Sequence, residues 1–297
     1  MAKLGITNLE GNTWMIHSPA NIGIYVLKNK VWLMDSGNDK EAGKQILKLI
    51  KANGWELEEI INTHSHADHI GGNAYLQQNT GCGIRASRGE SVVIREPLLE
   101  PSFLWGSYPF GALRNKFLQA KPSEVTKEIA PEEITDEAGL EIISLKGHSY
   151  DMIGIKTPDK VIFVGDSVLS KEIIEKYHLA VLYNVEEFLK SLDKLEKLDA
   201  KVFVPSHGKP VEDIKELTNI NRDKVLEIIE VIYDACLEPI SFEGILEKMC
   251  MKYNIELNIN QYVLVGSTIR SYISYMNDNN RLEYLFDHGK MLWKVKK

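Results

Sequence analysis

The chain has 297 residues, a net charge of −7 and 44% hydrophobic residues, which is typical of a folded protein with an ordinary core. The acidic balance disfavours a nucleic-acid partner, because binding to phosphate groups needs an excess of Lys and Arg. No stretch reaches the roughly 18 consecutive apolar residues of a membrane helix. Residues 1–10 lack the pattern of a signal peptide. We therefore expect a cytoplasmic protein without a membrane partner.

The three cysteines, Cys82, Cys236 and Cys250, are widely separated and form no C-x-x-C pair. This distribution does not suit a disulfide framework. It suits a protein in a reducing compartment, whose cysteines act as small buried apolar residues.

The first part of the chain alternates short apolar strands with amphipathic helices. β-branched and large apolar residues predict strands at 14–17, 22–28, 31–35, 58–62 and 83–86. A stripe of apolar residues predicts a helix over 39–52, which Asn53-Gly54 ends. Shorter helices are predicted from Asn73 onward and at 89–95.

The stretch that follows the strand at 58–62 is dense in metal-ligating side chains. Residues 63–72 read THSHADHIGG, in which the ligating residues are His64, His66, Asp68 and His69. Imidazole and carboxylate are ligands of Zn²⁺ and similar ions, and a catalytic site keeps positions open for water. Gly71-Gly72 lets the backbone pass close to this loop. The pattern therefore indicates a metal site rather than a solvated polar loop.

The segment at 97–131 shows no helix or strand periodicity, so we expect an irregular insertion. Four aromatic residues lie among prolines and glycines between Pro101 and Gly111. Long irregular segments in compact domains are usually lids, binding loops or interfaces. Cover of the active site and a packing or dimer contact are both open. Arg114, Lys116 and Lys121 either recognise an anionic end of a substrate or are simply solvated.

Further strands end beside residues that can bind metal. Strands are predicted at 140–145, 152–157, 160–164 and 201–204, with a helix at 185–198 between the last two. The residues that follow three of these strands, each next to Gly or Ser, are His148, Asp166 and His207. His17, His178 and His288 have no such context and are interpreted as surface or packing residues.

The C-terminal part has a mostly helical pattern that ends in a hairpin. Helices are predicted at 213–237, 241–253 and 261–276, with Ser241 as an N-cap. Residues 281–286 and 291–295 predict two strands around the polar turn 287–290. This order suggests a winged-helix-like appendage.

Taken together, these motifs resemble those of the metallo-β-lactamase-fold hydrolases. The motifs that occur in the family's order and with similar spacing are H-x-H-x-D-H at 64–69, Gly-His at 147–148, Gly-Asp at 165–166 and Ser-His-Gly at 206–208. Asp35 matches the family's first motif, an Asp that closes an early strand. The resemblance covers about residues 10–215, and it is specific because five motifs occur together.

The resemblance implies a fold of the α+β class, a four-layer αββα sandwich with two mixed sheets face to face and helices outside. It implies a hydrolase domain over residues 1–215 with the insertion at about 97–131. The winged-helix-like domain covers 216–297. The active site is expected in a cleft at one edge of the sheets.

The resemblance also implies a centre with two divalent metal ions. In the family's pattern the first ion is held by His64, His66 and His148, the second by Asp68, His69 and His207, and both by Asp166. Zinc is expected first, with iron and manganese as alternatives. The commonest antibiotic-degrading lactamases carry Cys where this chain has Asp166. The chain therefore resembles glyoxalase II-like and RNase-like members more than those lactamases.

Two divalent ions about 3.5 Å apart lower the pKa of a bridging water, which gives hydroxide at neutral pH. We expect this hydroxide to attack the carbonyl of a small-molecule ester, thioester or lactone. Asp68 is expected to be catalytic as well as metal-binding, because a carboxylate there can accept the water proton. Asp35 either orients the histidine loop from behind or caps the Ser-Gly turn that follows it.

Other functions stay open at this point. The tail resembles that of the β-lactamase-like protein 2 group, which includes members acting on single-stranded RNA, so a phosphodiesterase or ribonuclease is one alternative. An iron-dependent sulfur oxygenase and a non-enzymatic metal-binding module are others. Against nucleic acid, basic and acidic residues balance in 222–297, and no β-CASP-type insertion is evident. The tail then walls the cleft or forms a homodimer contact.

Overall fold

The computed structural model describes residues 5–135 and 137–296, which contain three β-sheets. The strands of the first sheet are β1 (Ile6–Glu10), β2 (Thr13–Ile16), β3 (Ile22–Leu27), β4 (Lys30–Met34), β5 (Glu56–Ile61), β6 (Gly83–Ser87) and β7 (Lys127–Ile129). The second sheet contains β8 (Glu141–Ser144), β9 (Ile153–Lys156), β10 (Val161–Gly165) and β11 (Val202–Pro205). The third contains β12 (Ile240–Ser241), β13 (Leu282–Asp287) and β14 (Lys290–Val295).

Helices cover the two larger sheets. They are α1 (Lys40–Ala52), α2 (Ala67–Ile70), α3 (Asn73–Thr80), α4 (Arg88–Arg95), α5 (Leu99–Trp105), α6 (Lys171–Tyr177), α7 (Val185–Leu195), α8 (Lys215–Ala235), α9 (Phe242–Tyr253) and α10 (Ile259–Asp278). One 3₁₀ turn lies at Gly111–Leu113. Among the helices of the described ranges, none combines the length and the apolar composition needed to cross a membrane.

Both large sheets are mixed, as the family resemblance implies. The strands of the first follow chain order from β1 to β7, antiparallel up to β4 and parallel from β4 to β7. The second has the order β11-β10-β9-β8, in which only β10 and β11 run parallel. Parallel strands end at the same edge of a sheet, so the loops after β4, β5, β10 and β11 can share one region.

Along each large sheet, successive side chains alternate between two apolar cores, one on each face. On β4, Val31 and Leu33 belong to a core that includes the outer helices, whereas Trp32 belongs to a core between the two sheets. Phe163 on β10 lies in the same inter-sheet core, and Ile162 belongs to a third core with the other helices. These three cores separate four layers, so the predicted αββα sandwich is confirmed.

Helix α1 illustrates how local sequence sets these layers. Asp39 is its N-cap, and its carboxylate accepts hydrogen bonds from the backbone N–H groups of Glu41 and Ala42 at 2.9 and 3.0 Å. Ile46 and Ile50 are fully buried against the first sheet. Burial of each such side chain contributes about 1.5–3 kcal/mol. The helix predicted at 39–52 is therefore confirmed.

Part of the prediction for the insertion is wrong, because residues 99–105 form α5 and residues 127–129 form a strand. Pro101 is the third helical residue of α5, where its missing N–H has no intrahelical acceptor, so it does not break the helix. Gly106 ends the helix with a left-handed φ of 77°. The sequence also did not predict β1, α2 and α6, which are short and have weak periodicity.

The insertion packs against the C-terminal helices. Leu113 and Leu118 form a small apolar cluster with Val263 of α10. Asn115 Nδ2 donates a hydrogen bond of 2.9 Å to Asn260 Oδ1. These contacts give the segment at 97–131 a packing role within the chain.

The three helices and the hairpin predicted for the tail are present, and Ser241 caps α9. The tail shares its core with the second sheet, because Val225 of α8 and Ile269 of α10 belong to the same cluster as Ile162 and Val164. The winged-helix-like description and a domain boundary after residue 215 stay predictions.

Gly71 provides a test of how tightly the histidine loop packs. A Cβ atom there would lie 2.3 Å from the carbonyl carbon of Asn38, a backbone atom that cannot move aside cheaply. We expect Gly71→Ala to lower the free energy of unfolding by about 1–3 kcal/mol, measured by urea titration. Gly111→Ala is the control, because the nearest atom lies 3.8 Å from its Cβ. Equal stability of the two variants would contradict this packing.

Candidate metal centre

The structure brings all seven predicted metal-binding residues together at the edge where the two large sheets meet. They lie in the segments that follow β5, β8, β10 and β11. Ligand atoms approach within 4.8 Å of one another in three overlapping groups: His64, His66 and His148; His64, His69 and Asp166; and Asp68, His69 and His207.

The first group is a cluster of three imidazoles whose ring nitrogens face one another. His66 Nδ1 lies 3.1 Å from His64 Nε2 and 3.0 Å from His148 Nε2. The three ring planes are nearly perpendicular to one another, at 76–86°. Three nitrogens therefore converge on one small volume.

The hydrogen bonds behind these rings fix which nitrogens carry lone pairs. His148 Nδ1 is 2.9 Å from the carbonyl oxygen of Val181, so it donates and leaves Nε2 unprotonated in the neutral ring. Thr63 Oγ1 donates to Asp35 and therefore accepts from His64 Nδ1 at 3.0 Å. Both Nε2 atoms then present lone pairs toward His66, which is the arrangement that a cation stabilises.

The group of Asp68, His69 and His207, called the second group from here on, combines two imidazoles with a carboxylate. His69 Nε2 lies 3.8 Å from Asp68 Oδ2, and His207 Nε2 lies 3.3 Å from the same oxygen. His207 Nδ1 donates to the carbonyl oxygen of Pro19 at 2.9 Å, so its Nε2 is the ligating atom. As in the first group, a hydrogen bond at Nδ1 leaves Nε2 to face the centre.

Asp166 touches both groups. Its Oδ2 lies 3.5 Å from His148 Nε2 and 3.4 Å from His207 Nε2, and its Oδ1 lies 3.6 Å from His69 Nε2. Asp166 Oδ1 and His69 Nε2 are buried without a hydrogen-bond partner in the described part of the chain. Leaving such atoms unpaired costs about 1–3 kcal/mol each. Imidazole nitrogen and carboxylate oxygen suit a divalent ion such as zinc, iron or manganese, so the residues present fit one.

Asp35 holds the histidine loop from behind. Its buried carboxylate accepts hydrogen bonds from Thr63 N at 2.8 Å, Thr63 Oγ1 at 2.7 Å and His69 Nδ1 at 2.8 Å. Its backbone φ of 63° lies in the left-handed region, which is uncommon for residues other than glycine. These contacts support the interpretation that Asp35 orients the loop.

The electrostatics divide the histidines into two kinds. Burial lowers the pKa of His148 to about 3, against the opposing effect of Asp166, and burial also lowers the pKa of His64. Burial alone would lower the pKa of His69, but Asp68 and Asp35 outweigh it and raise the pKa to about 9. Asp166 and Asp68 likewise overcome burial and raise the pKa of His207 to about 11. In the metal-free chain at pH 7, His64 and His148 are therefore neutral, whereas His69 and His207 carry a proton.

Sequence reasoning missed Glu100, which lies next to a predicted ligand. Its Oε1 is 3.5 Å from His66 Nε2, the ring nitrogen that faces away from the imidazole cluster. Burial raises the pKa of the Glu100 carboxyl. Because Glu100 is on α5, the insertion covers this side of the site. An acidic residue in an insertion is too weak a signal to reveal such a contact.

The other three histidines lie in settings that agree with packing or surface roles. His17 bonds Thr7 at 2.7 Å on the surface, and His288 is exposed in the hairpin turn. His178 stacks on the ring of Tyr253 at 4.9 Å between centroids.

Comparison with known proteins agrees with this geometry. A family model described as "Metallo-beta-lactamase superfamily" matches residues 16–207, which is more than half of the chain. The chain therefore belongs to the metallo-beta-lactamase superfamily.

Particular relatives refine the comparison. The chain is 28% identical over 135 residues to a hydroxyacylglutathione hydrolase of Rhodopseudomonas palustris (strain BisB18), a match that covers 44% of this chain and 42% of the relative. The chain thus spans less than half of that relative's length.

Two solved structures share the fold across nearly the whole chain. A beta-lactamase domain protein from Burkholderia ambifaria has a TM-score of 0.76 and 16% identity, covering 98% of this chain and 93% of its own. A metallo-beta-lactamase family protein from Thermus thermophilus has a TM-score of 0.74 and 18% identity, covering 96% and 99%. At this identity the likeness shows the fold alone.

The raised pKa values predict how pH affects the metal-free chain. Protonation of His69 and His207 stabilises the folded state fully below pH 6.5, their unfolded pKa. This contribution is lost as pH rises through about 9 for His69 and about 11 for His207. With a chelator present, the melting temperature should fall between pH 7 and pH 9.5. The fall should be smaller in His207→Asn, while His288→Asn should behave like the wild type. A rise in melting temperature over this window would contradict the assignment.

Proposed function

We propose that the chain is a dinuclear metal-dependent hydrolase that cleaves a thioester, ester or lactone of a small molecule. The observation that carries the proposal is the position of Asp166. Its carboxylate lies 3.4–3.6 Å from ring nitrogens of both residue groups, as a bridging ligand must. A single-metal site would not need a carboxylate between two sets of imidazoles.

The proposed ligand assignment follows the two groups. The first ion would be held by His64, His66 and His148, the second by Asp68, His69 and His207, and Asp166 would be shared by both. Zinc is the proposed metal, since the donor set contains nitrogen and oxygen. Iron and manganese suit the same donors and remain alternatives.

When bound, the two ions supply an activated water and polarise the scissile carbonyl. The residues of the chain position this chemistry and move its proton. The side chain of Asp68 is 43% exposed, whereas that of Asp166 is 7% exposed. Asp68 is thus the carboxylate that solvent and substrate can reach, and we assign it as the acceptor of the water proton.

The insertion supports a small-molecule substrate, because its Glu100 covers the His66 side of the centre. Hydrolysis of a thioester is the first expectation, because the relative named above is a hydroxyacylglutathione hydrolase.

The remaining parts of the proposal concern location and assembly. The three cysteines are free, which suits a reducing compartment, so the cytoplasm is the proposed location. A homodimer stays a prediction.

Asp68 gives the sharpest test of the proposal. We expect zinc-loaded protein to hydrolyse members of a panel of thioesters, lactones and esters. Asp68→Asn should lower kcat by about 100-fold or more, because a proton acceptor and a ligand are lost together. Asp199→Asn is the matched control, since that carboxylate is 77% exposed and pairs with Lys160 on the surface.

Two outcomes would count against the proposal. The first is a panel left untouched by both the zinc-loaded and the manganese-loaded protein. The second is metal-dependent cleavage of single-stranded RNA without any acyl hydrolysis, which would favour the ribonuclease alternative. Circular dichroism of Asp68→Asn verifies that its fold is retained.

A further inference from the structure

A buried carboxylate outside the seven predicted ligands connects two of the metal-binding loops. Glu90 is the third residue of α4 and is only 2% exposed. Its Oε2 accepts hydrogen bonds from Ser65 N at 2.9 Å and from Ser65 Oγ at 2.6 Å. Its Oε1 accepts from Ser149 Oγ at 2.7 Å and from Asp151 N at 2.8 Å.

These four bonds join loops that come from different sheets. Ser65 lies between His64 and His66 after β5 of the first sheet. Ser149 directly follows His148, after β8 of the second sheet. Glu90 therefore ties together the two backbone segments that carry all three imidazoles of the first group.

The chemistry of the four partners requires a carboxylate at this position. Each partner approaches with an N–H or O–H donor, and an ionised carboxylate is the side chain that offers only acceptors. A glutamine in the same place would turn its NH₂ group toward two of the donors. The bonds to one of the two loops, that of Ser65 or that of Ser149, would then be lost.

The position of Glu90 is itself held by α4. Gly89 N donates to Asp151 Oδ2 at 3.0 Å, and Ile94 of the same helix is fully buried in the core of the first sheet. The loop of His148 begins at Gly147, whose φ of 127° only glycine adopts readily. The bonds from Ser149 and Asp151 to Glu90 add a restraint to this loop from the side of the first sheet.

We propose that Glu90 is a positioning residue that sets the affinity of the His64, His66 and His148 group for its metal ion. The proposal rests on the metal centre proposed above. A metal site tolerates displacements of its ligands of about 0.2 Å. The three ligand nitrogens come from two loops on different sheets. The carboxylate that joins these loops therefore controls whether the nitrogens converge on one ion.

The test compares Glu90→Gln with Glu59→Gln. Glu59 is also a buried carboxylate, 7% exposed, but its partner is Arg85 and not a metal-binding loop. Zinc affinity is measured on the metal-free proteins by competition with a chromophoric chelator, and their melting temperatures are recorded separately. The visible spectrum after loading with cobalt reports on histidine ligation.

We expect Glu90→Gln to weaken zinc binding by about 10- to 100-fold at one of two sites and to change the cobalt spectrum. Glu59→Gln should lower the melting temperature while leaving zinc affinity and spectrum as in the wild type. If Glu90→Gln keeps the wild-type affinity and spectrum, the proposal is overturned, whatever happens to its melting temperature.

A milder variant keeps the proposal testable if Glu90→Gln does not fold. Ser149→Ala removes one of the four bonds and leaves the carboxylate in place. We expect a smaller loss of zinc affinity with a wild-type circular dichroism spectrum, and an unchanged affinity would overturn the proposal. If the wild-type chain itself bound none of zinc, iron and manganese, the proposed metal centre would fail, and this inference with it.

Discussion

The site depends on one constraint: metal-binding side chains from separate loops must be held together before any cation is present. Each imidazole of the site is fixed at the nitrogen that faces away from the centre. The acceptors behind the rings are Thr63 Oγ1 for His64, Glu100 for His66, Asp35 for His69, the Val181 carbonyl for His148 and the Pro19 carbonyl for His207. These contacts set the tautomers and aim the lone pairs, so the chain supplies a preorganised centre.

The fold creates this constraint by bringing the ends of two sheets together. Each sheet contributes short loops, and the inter-sheet core of residues such as Trp32 and Phe163 sets their separation. The insertion and the C-terminal helices act from outside. Because α5 carries Glu100 to His66 and the same segment packs on α10, the insertion links the tail to this side of the site. That the tail walls the cleft stays a prediction.

Local patterns in the sequence predicted much of this arrangement, and contacts between distant residues account for the rest. The clustering of the seven candidate ligands and the positions of most strands could be predicted, because motifs and side-chain periodicity are short-range features. Helix α5 was missed because Pro101 hides a helix start inside an apparently irregular segment. Glu90 and Glu100 could not be found, since each matters through a partner in another loop and neither belongs to a motif. Their importance follows from burial and hydrogen bonding, which only the folded chain displays.

The central claim is that two ions share the Asp166 carboxylate, and anomalous diffraction from zinc-loaded crystals tests it most directly. We expect two peaks at the zinc absorption edge, about 3.5–4 Å apart. One peak should lie beside His148 and the other beside His207, with Asp166 between them. A single peak, or a pair of peaks with Asp166 bound to neither, would contradict the dinuclear centre.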